Sequence, residues 1–322
     1  DQRLATHGIR RQTRVNNRGS SMQIRDVLTA AETETLTRSS DARGAWLVLC
    51  QWTLTALIFA GMAVWPNVLT LGAGLVLLGG RQLGFGVLVH ECGHRSLFRR
   101  QALNTWVGDW LLAAPNFNNQ RAYMRAHVSH HRLAGTPEDP DLPNYQDYPI
   151  SGARLRRKLW RDLTGRTGLR TLAGIGRGLR KYRALPEENQ AALRRGLLVN
   201  LALLATLIAT GFGWLYGIWL AAFVFANPAI SRIRQIAEHA AVPDRLSADP
   251  RRNTRTVLAG PLARLVLCPH QINYHLEHHL LASVPIYRLA ALHRLLQRKG
   301  WYRDVDFPTG YRALFRQVLT SR

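Results

Sequence analysis

Residues 68–94 read VLTLGAGLVLLGGRQLGFGVLVHECGH. Residues 68–89 of this stretch carry a single charge, Arg81. A run that apolar is long enough to cross the ~30 Å hydrocarbon core of a bilayer as a helix. A helix begun at Val68 has risen about 33 Å at His90, so HECGH falls near the far membrane interface. Arg81 must then face protein or a polar cavity, not lipid. Immediately upstream, residues 46–65 read WLVLCQWTLTALIFAGMAVW without a charge, and Pro66 and Asn67 mark a turn. Two antiparallel membrane helices follow from this pattern.

A second charge-free stretch occupies residues 196–231. As one helix it would be about 54 Å long, too long for one crossing. TGFG at 210–213 breaks it, which gives a second hairpin with spans of about 196–212 and 214–231. The turns WPN and TGFG carry no charge, and the Arg-rich segments all lie at the other ends, which makes that side cytoplasmic. The expected fold is all-α: an integral membrane protein of four transmembrane helices in two hairpins, with a cytoplasmic helical cap. Residues 23–40 read as a surface helix. Leu103, Trp106, Val107, Trp110, Leu111 and Ala114 form one apolar stripe at helical spacing, expected to lie in or dip into the interface. Residues 1–22 are polar, lack the apolar core of a signal peptide, and are expected to be a disordered arm or an upstream extension. Residues 23–322 are expected to form a single membrane domain.

The net charge is +23, and Arg supplies most of it, since only three of the 43 basic residues are Lys. The Arg residues flank the apolar stretches, so membrane orientation explains them and nucleic-acid binding is not expected. The expected location is a bacterial inner membrane. Between Arg154 and Arg183 eleven basic residues face one acid, Asp162. Two readings stay open there: contact with anionic headgroups, or a docking surface for an acidic electron donor or acyl carrier. Cys50, Cys92 and Cys268 show no metal-binding spacing, and Cys92 reads as a small buried filler.

HECGH also fits H-E-x-x-H, which on a helix can hold zinc in a protease with the Glu as general base. The rest of the chain changes that reading. Of twelve His, nine fall in four places: His90 and His94 in HECGH, His127, His130 and His131 in HVSHH, His239 in RQIAEH, and His275, His278 and His279 in HLEHH. Residues three and four apart share a helix face, so each box presents its imidazoles from one patch of backbone. With four spans every box falls on one side of the membrane. Nine imidazoles exceed the four ligands of a typical zinc site and suit two metal ions of four to six ligands each. Imidazole accepts several metals, so spacing alone does not choose between them.

HECGH, HVSHH and HLEHH, with TPEDPDLP after the second box, resemble the membrane fatty acid desaturase family. RIRQIAEH and NYHLEHHLLASVP look like its bacterial members, and the similarity runs from about Gln23 onward. The resemblance implies a di-iron site held by the nine His. It implies O2 as co-substrate and removal of two hydrogens from a lipid methylene pair. By position Gln235 corresponds to an Asn that reaches one iron through water in acyl-CoA members, and Gln for Asn is a departure. The cytochrome b5 heme motif HPGG is absent, which implies a separate ferredoxin or rubredoxin-like donor with a reductase. Glu91, Asp139, Asp141, Glu238 and Glu277 are candidates to accept the outer N–H of ligating His, and Asn273 is a further candidate beside the last box. A hydroxylase or ketolase acting on a carotenoid, alkane or other apolar substrate remains the alternative within the superfamily. A zinc protease using HECGH, or a membrane protein that binds metal or heme without catalysis, are more remote.

Overall fold

The computed structural model describes residues 24–320, so the expectation for residues 1–22 lies outside the described residues. Within them the chain is helical throughout, with no strand and only two isolated bridges, Ile150 with Leu319 and Leu258 with Thr309. Two short helices come first, α1 (Ile24–Val27) and α2 (Ala30–Thr37), where a single surface helix was expected. The cause is Thr29, which opens α2 with a reciprocal cap: its hydroxyl accepts from Glu32 N–H, and the Glu32 carboxylate accepts from Thr29 N–H.

The first membrane hairpin is α3 (Asp41–Val64) and α4 (Val68–Gly93). α3 starts before the apolar run because Ser40 caps it by accepting from Arg43 N–H. Asn67 turns the chain into α4 by accepting from the N–H groups of Leu69 and Thr70 at 3.0 and 3.1 Å. α4 is the central helix, buried over most of its length, whereas α3 and α10 (Glu187–Ala209) leave most of their apolar surface open. These three helices are long and apolar enough to cross a membrane. Arg81 is buried in α4 as expected, donating to Gln51 Oε1 at 3.3 Å and to the Leu265 carbonyl. Two glycines let neighbouring helices close on α4. A Cβ on Gly74 would stand 2.2 Å from Met62 Sδ, and one on Gly79 would stand 2.7 Å from Ala226 Cβ.

The interfacial stripe at 103–114 is not one regular helix. α5 (Gln101–Val107) passes into a π-helical turn (Gly108–Ala113) and then a 3-10 turn (Ala114–Asn116). Gly108 lies against Gln120 and Cys92 so closely that a Cβ there would overlap Gln120 Oε1. The wide turn splits the stripe, burying Val107 and Leu112 while Trp106 stays exposed. Between this segment and α10 run α6 (Gln120–Leu133), α7 (Leu142–Tyr145), α8 (Gly152–Leu163) and α9 (Arg166–Arg180). α10 begins well before residue 196, because its first residues, EENQAALRR, are good helix formers that prolong it beyond the apolar run.

The last apolar stretch is a continuous helical path broken in geometry. It passes from α11 (Leu215–Ala221) through a π-helical turn (Ala222–Ala226) into α12 (Asn227–His239). After it come α13 (Pro250–Asn253), α14 (Pro261–Val266), α15 (His275–Leu280), α16 (Ile286–Arg298) and α17 (Gly310–Val318). Leu276, Leu289 and Leu292 from this part pack with Leu83 and Val87 of α4 in one core cluster. That core fixes α15 beside the end of α4, where the histidines are.

Candidate metal centre

His90 lies in the last turn of α4 and His94 caps its end. α6 carries His127, His130 and His131, α12 ends on His239, and α15 carries His275, His278 and His279. The nine side chains converge as two groups. His90, His94, His127, His131 and His278 bring one nitrogen each within 4.8 Å of one another, and His130, His239, His275 and His279 do the same. Either group could hold a metal ion.

The division follows from helix geometry. His127 and His131 are four apart and align on α6, while His130 is rotated about 100° from His131 and turns to the other group. α15 mirrors this: His275 and His279 align, and His278 turns across. The two boxes therefore interlock the groups, and the His131 and His279 rings stack at 4.3 Å between them.

The inner nitrogens are Nε2 atoms facing one another. His90 and His127 approach to 2.7 Å, His94 and His127 to 3.1 Å, His131 and His278 to 3.0 Å, and His239 and His275 to 3.0 Å. Nitrogens at right angles around one ion at about 2.1 Å are about 3 Å apart. His279 Nε2 is buried with no hydrogen-bond partner, as a nitrogen waiting for a cation would be. Three of the outer nitrogens have acceptors, while His275 Nδ1 and His278 Nδ1 are buried without a hydrogen bond. His130 Nδ1–H donates to Asp139 Oδ1 at 2.8 Å, His90 Nδ1–H to Glu91 Oε1 at 3.2 Å, and His239 Nδ1–H to the Asn253 carbonyl at 3.2 Å. His275 Nδ1 lies 3.5 Å from Glu238 Oε1, whose other neighbour is Arg234 Nε at 2.7 Å. A proton held on Nδ1 leaves the lone pair on Nε2, inside the group.

Electrostatics agree with neutral imidazoles. Burial, then the neighbouring imidazoles, hold His127 well below the usual range; the same causes bring His131 down to about 3. Burial of Asp139 alone would raise its carboxyl, but His130, the Tyr145 hydroxyl and the Asp141 N–H outweigh it and keep it ionised.

Not every expected residue serves the histidines. Glu91 and Asp139 hydrogen-bond His90 and His130, whereas Glu238 lies 3.5 Å from His275 Nδ1 without a hydrogen bond to it. Asp141 is half exposed, 3.8 Å from His130 Nδ1, and its N–H donates to Asp139. Gln235 is exposed and lines a 230 Å³ cavity together with His130, His239, His275 and Arg234. Glu277 departs from expectation: its carboxylate accepts from His293 Nδ1 at 2.7 Å, from Thr256 and from Tyr302, not from any of the nine His. It is fully buried and turns away because two residues along a helix is about 200°, which sets it opposite His275 and His279 on α15. Asn273 donates to the Val257 carbonyl at 3.0 Å and so braces the loop before α15. Tyr145, Asn253 and Arg234, which complete the surroundings of the four-His group, carry no spacing signal in the sequence. His270, outside the boxes, bonds Gln51 Oε1 at 2.9 Å and stays structural.

Membrane-length helices end beside two converged imidazole groups able to hold metal ions, an arrangement that points to the class of membrane metalloenzymes. A family model described as fatty acid desaturase matches residues 63–305, and the chain belongs to that family of oxidoreductases. It is 24% identical over 247 residues to dihydrorhizobitoxine desaturase of Bradyrhizobium elkanii, covering 72% of this chain and 69% of that one. It is 28% identical over 249 residues to a beta-carotene ketolase of Paracoccus sp. (strain PC1), covering 76% and 86%. It is 26% identical over 304 residues to sn-1 oleoyl-lipid 12-desaturase of Arthrospira platensis, covering 87% and 83%.

Proposed function

We propose that the nine histidines hold two iron ions, five in one group and four in the other, and that the protein uses O2 to place a double bond in a fatty acyl chain or similar lipid. The observation that carries the reading is the interlocked five-and-four division of the imidazoles, each group with Nε2 atoms inward. The balance is one O2, two electrons and two protons consumed, two hydrogens removed from the chain, and two water molecules released. Bound iron would supply the oxidising power for a strong C–H bond. The chain's own residues do the rest. Asp139, Glu91 and the Asn253 carbonyl fix ring orientation from outside. Gln235 stands at the mouth of the cavity over the four-His group, where a water could bridge it to that group. Electrons come from an external ferredoxin or rubredoxin-like protein with its reductase.

The membrane reading extends to residues 24–320 as a single domain. The helical path through residues 215–231 supplies the fourth crossing, its π-helical turn packed on α4 at Gly79. With the basic residues at the histidine end, that end faces the cytoplasm of a bacterial inner membrane. The second reading, a hydroxylase or ketolase, is favoured by the similarity to beta-carotene ketolases at 28% identity. The protease reading fails at Glu91, which is buried and bonded to Ser96 Oγ at 2.8 Å and Ile286 N–H at 2.9 Å, leaving no place for an attacking water. Lipid and pigment analysis of an expressing host decides between the first two. New unsaturated chains support desaturation; a hydroxyl or keto product with no new double bond would overturn it.

A further inference from the structure

We propose that the α8–α9 hairpin is a binding surface for the headgroups of anionic phospholipids, a second contact with the bilayer apart from the crossings. The inference rests on the membrane placement and not on the reaction. α9 is divided lengthwise. Gly168, Leu172, Ile175 and Leu179 fall on one side by helical spacing, and Arg166, Arg170, Arg177 and Arg180 on the other. The apolar side is seated on the fourth helical path: a Cβ on Gly168 would stand 2.3 Å from the Val224 carbonyl. None of the four Arg has an ion-pair partner among the described residues, and no acid occurs in residues 163–186. The one acid of α8, Asp162, is buried and already consumed by Arg232 and by Thr167 at 2.5 Å.

The hairpin also leaves apolar surface uncovered beside these cations. Trp160 is 70% exposed, Leu163 53% and Leu169 54%. Aromatic and leucine side chains flanked by unpaired Arg suit the boundary between acyl chains and headgroups. An acidic protein partner would match the charge but would leave Trp160 and Leu169 without a reason to be apolar. Gly174, Gly176 and Gly178 weaken the helix, and a Cβ on Gly176 would meet nothing. α9 thus depends on its surroundings for order, which makes its amide exchange a direct report of what covers it.

The test is hydrogen–deuterium exchange on the full chain in nanodiscs of phosphatidylcholine, of phosphatidylglycerol, and of phosphatidylcholine with an acidic [2Fe–2S] ferredoxin added. Peptides from residues 166–180 should exchange roughly tenfold more slowly in phosphatidylglycerol, and the difference should shrink at high salt. The double variant Arg170→Glu, Arg177→Glu should lose the difference, and Arg170→Lys, Arg177→Lys should keep it. Unchanged exchange in α4 peptides shows that the variants are folded. Equal exchange in the two lipids overturns the proposal, and so does slowing that appears only with ferredoxin. The readout needs neither iron nor turnover, so its failure is separate from failure of the desaturase reading.

Discussion

Asp139 accepts the Nδ1 proton of His130 at 2.8 Å while its other oxygen accepts from the Tyr145 hydroxyl, so one buried carboxylate sets both the tautomer and the ring plane of a histidine nine residues away. Removing such a support typically lowers metal affinity ~10–100-fold. Asp139→Asn is therefore expected to lose iron from the four-His group to a chelator ~10–100-fold more readily than wild type. The five-His group, which has no contact with Asp139, should hold its ion. Chelator competition with iron counting measures this. Equal retention of both ions would show that Asp139 is only part of a turn.

The interlocked boxes make a sharper contrast. His127→Ala and His130→Ala are three residues apart on one helix, yet they remove imidazoles from different groups. Each single variant is expected to lose about one of the two irons, with different spectroscopic signatures for the ion that remains. Mössbauer spectra of the two variants check it. Identical spectra would mean that both residues serve one ion.

Glu277 separates folding from metal binding. It is flanked in sequence by two histidines of the centre, but its three donors are His293, Tyr302 and Thr256. Leaving buried donors unpaired costs about 1–3 kcal/mol per group. Glu277→Ala is expected to lower unfolding stability in detergent by several kcal/mol, through two or three such groups. The fraction that stays folded should still carry two irons. Iron loss from protein with an unchanged melting temperature would return Glu277 to the metal.

What the sequence carried and what it did not divide along physical lines. Apolar length gave the first hairpin, and helical spacing placed each histidine with its box partners, because both depend on local periodicity. The split within each box follows from i, i+4 spacing, but which halves meet, and that His90, His94 and His239 join them as they do, depended on how the helices face each other, which no local pattern encodes. The outer partners split in the same way. Asp139 stood in a motif that could be read, whereas Asn253 serves through its carbonyl, which any residue has, and Arg234 serves through its approach to Glu238. The π-helical turn at 108–113 was invisible because an added residue in a helical turn leaves the composition unchanged.

Gly79 tests how the fourth helical path is held. A Cβ there would stand 2.7 Å from Ala226 Cβ and 3.1 Å from the Asn227 backbone nitrogen, and backbone cannot swing aside as a side chain can. Overpacking of this kind costs about 1–3 kcal/mol. Gly79→Ala is expected to lower the melting temperature in detergent, and Gly79→Val to lower it further. Gly86 on the same helix meets nothing within 4 Å, so Gly86→Ala is the control that should leave it unchanged. A similar loss at both positions would point to helix propensity or flexibility and not to the contact.

The neutral imidazoles give the iron-free protein a directed pH dependence. Burial, foremost, holds His131 and His239 down to about 3, while a histidine in the unfolded chain titrates near 6.5. Below that value the unfolded chain binds protons that the folded chain does not, so acid favours unfolding. The contribution of these residues is fully present above about pH 6.5 and is lost progressively as pH falls toward 3. Chelator-stripped protein should keep a constant melting temperature from pH 9 to about pH 7 and then lose stability steadily on acidification. Replacing His131 by Gln should flatten the slope below about pH 6.5 by close to one proton. A slope that does not change on this replacement would mean that His131 is protonated in the folded, iron-free state.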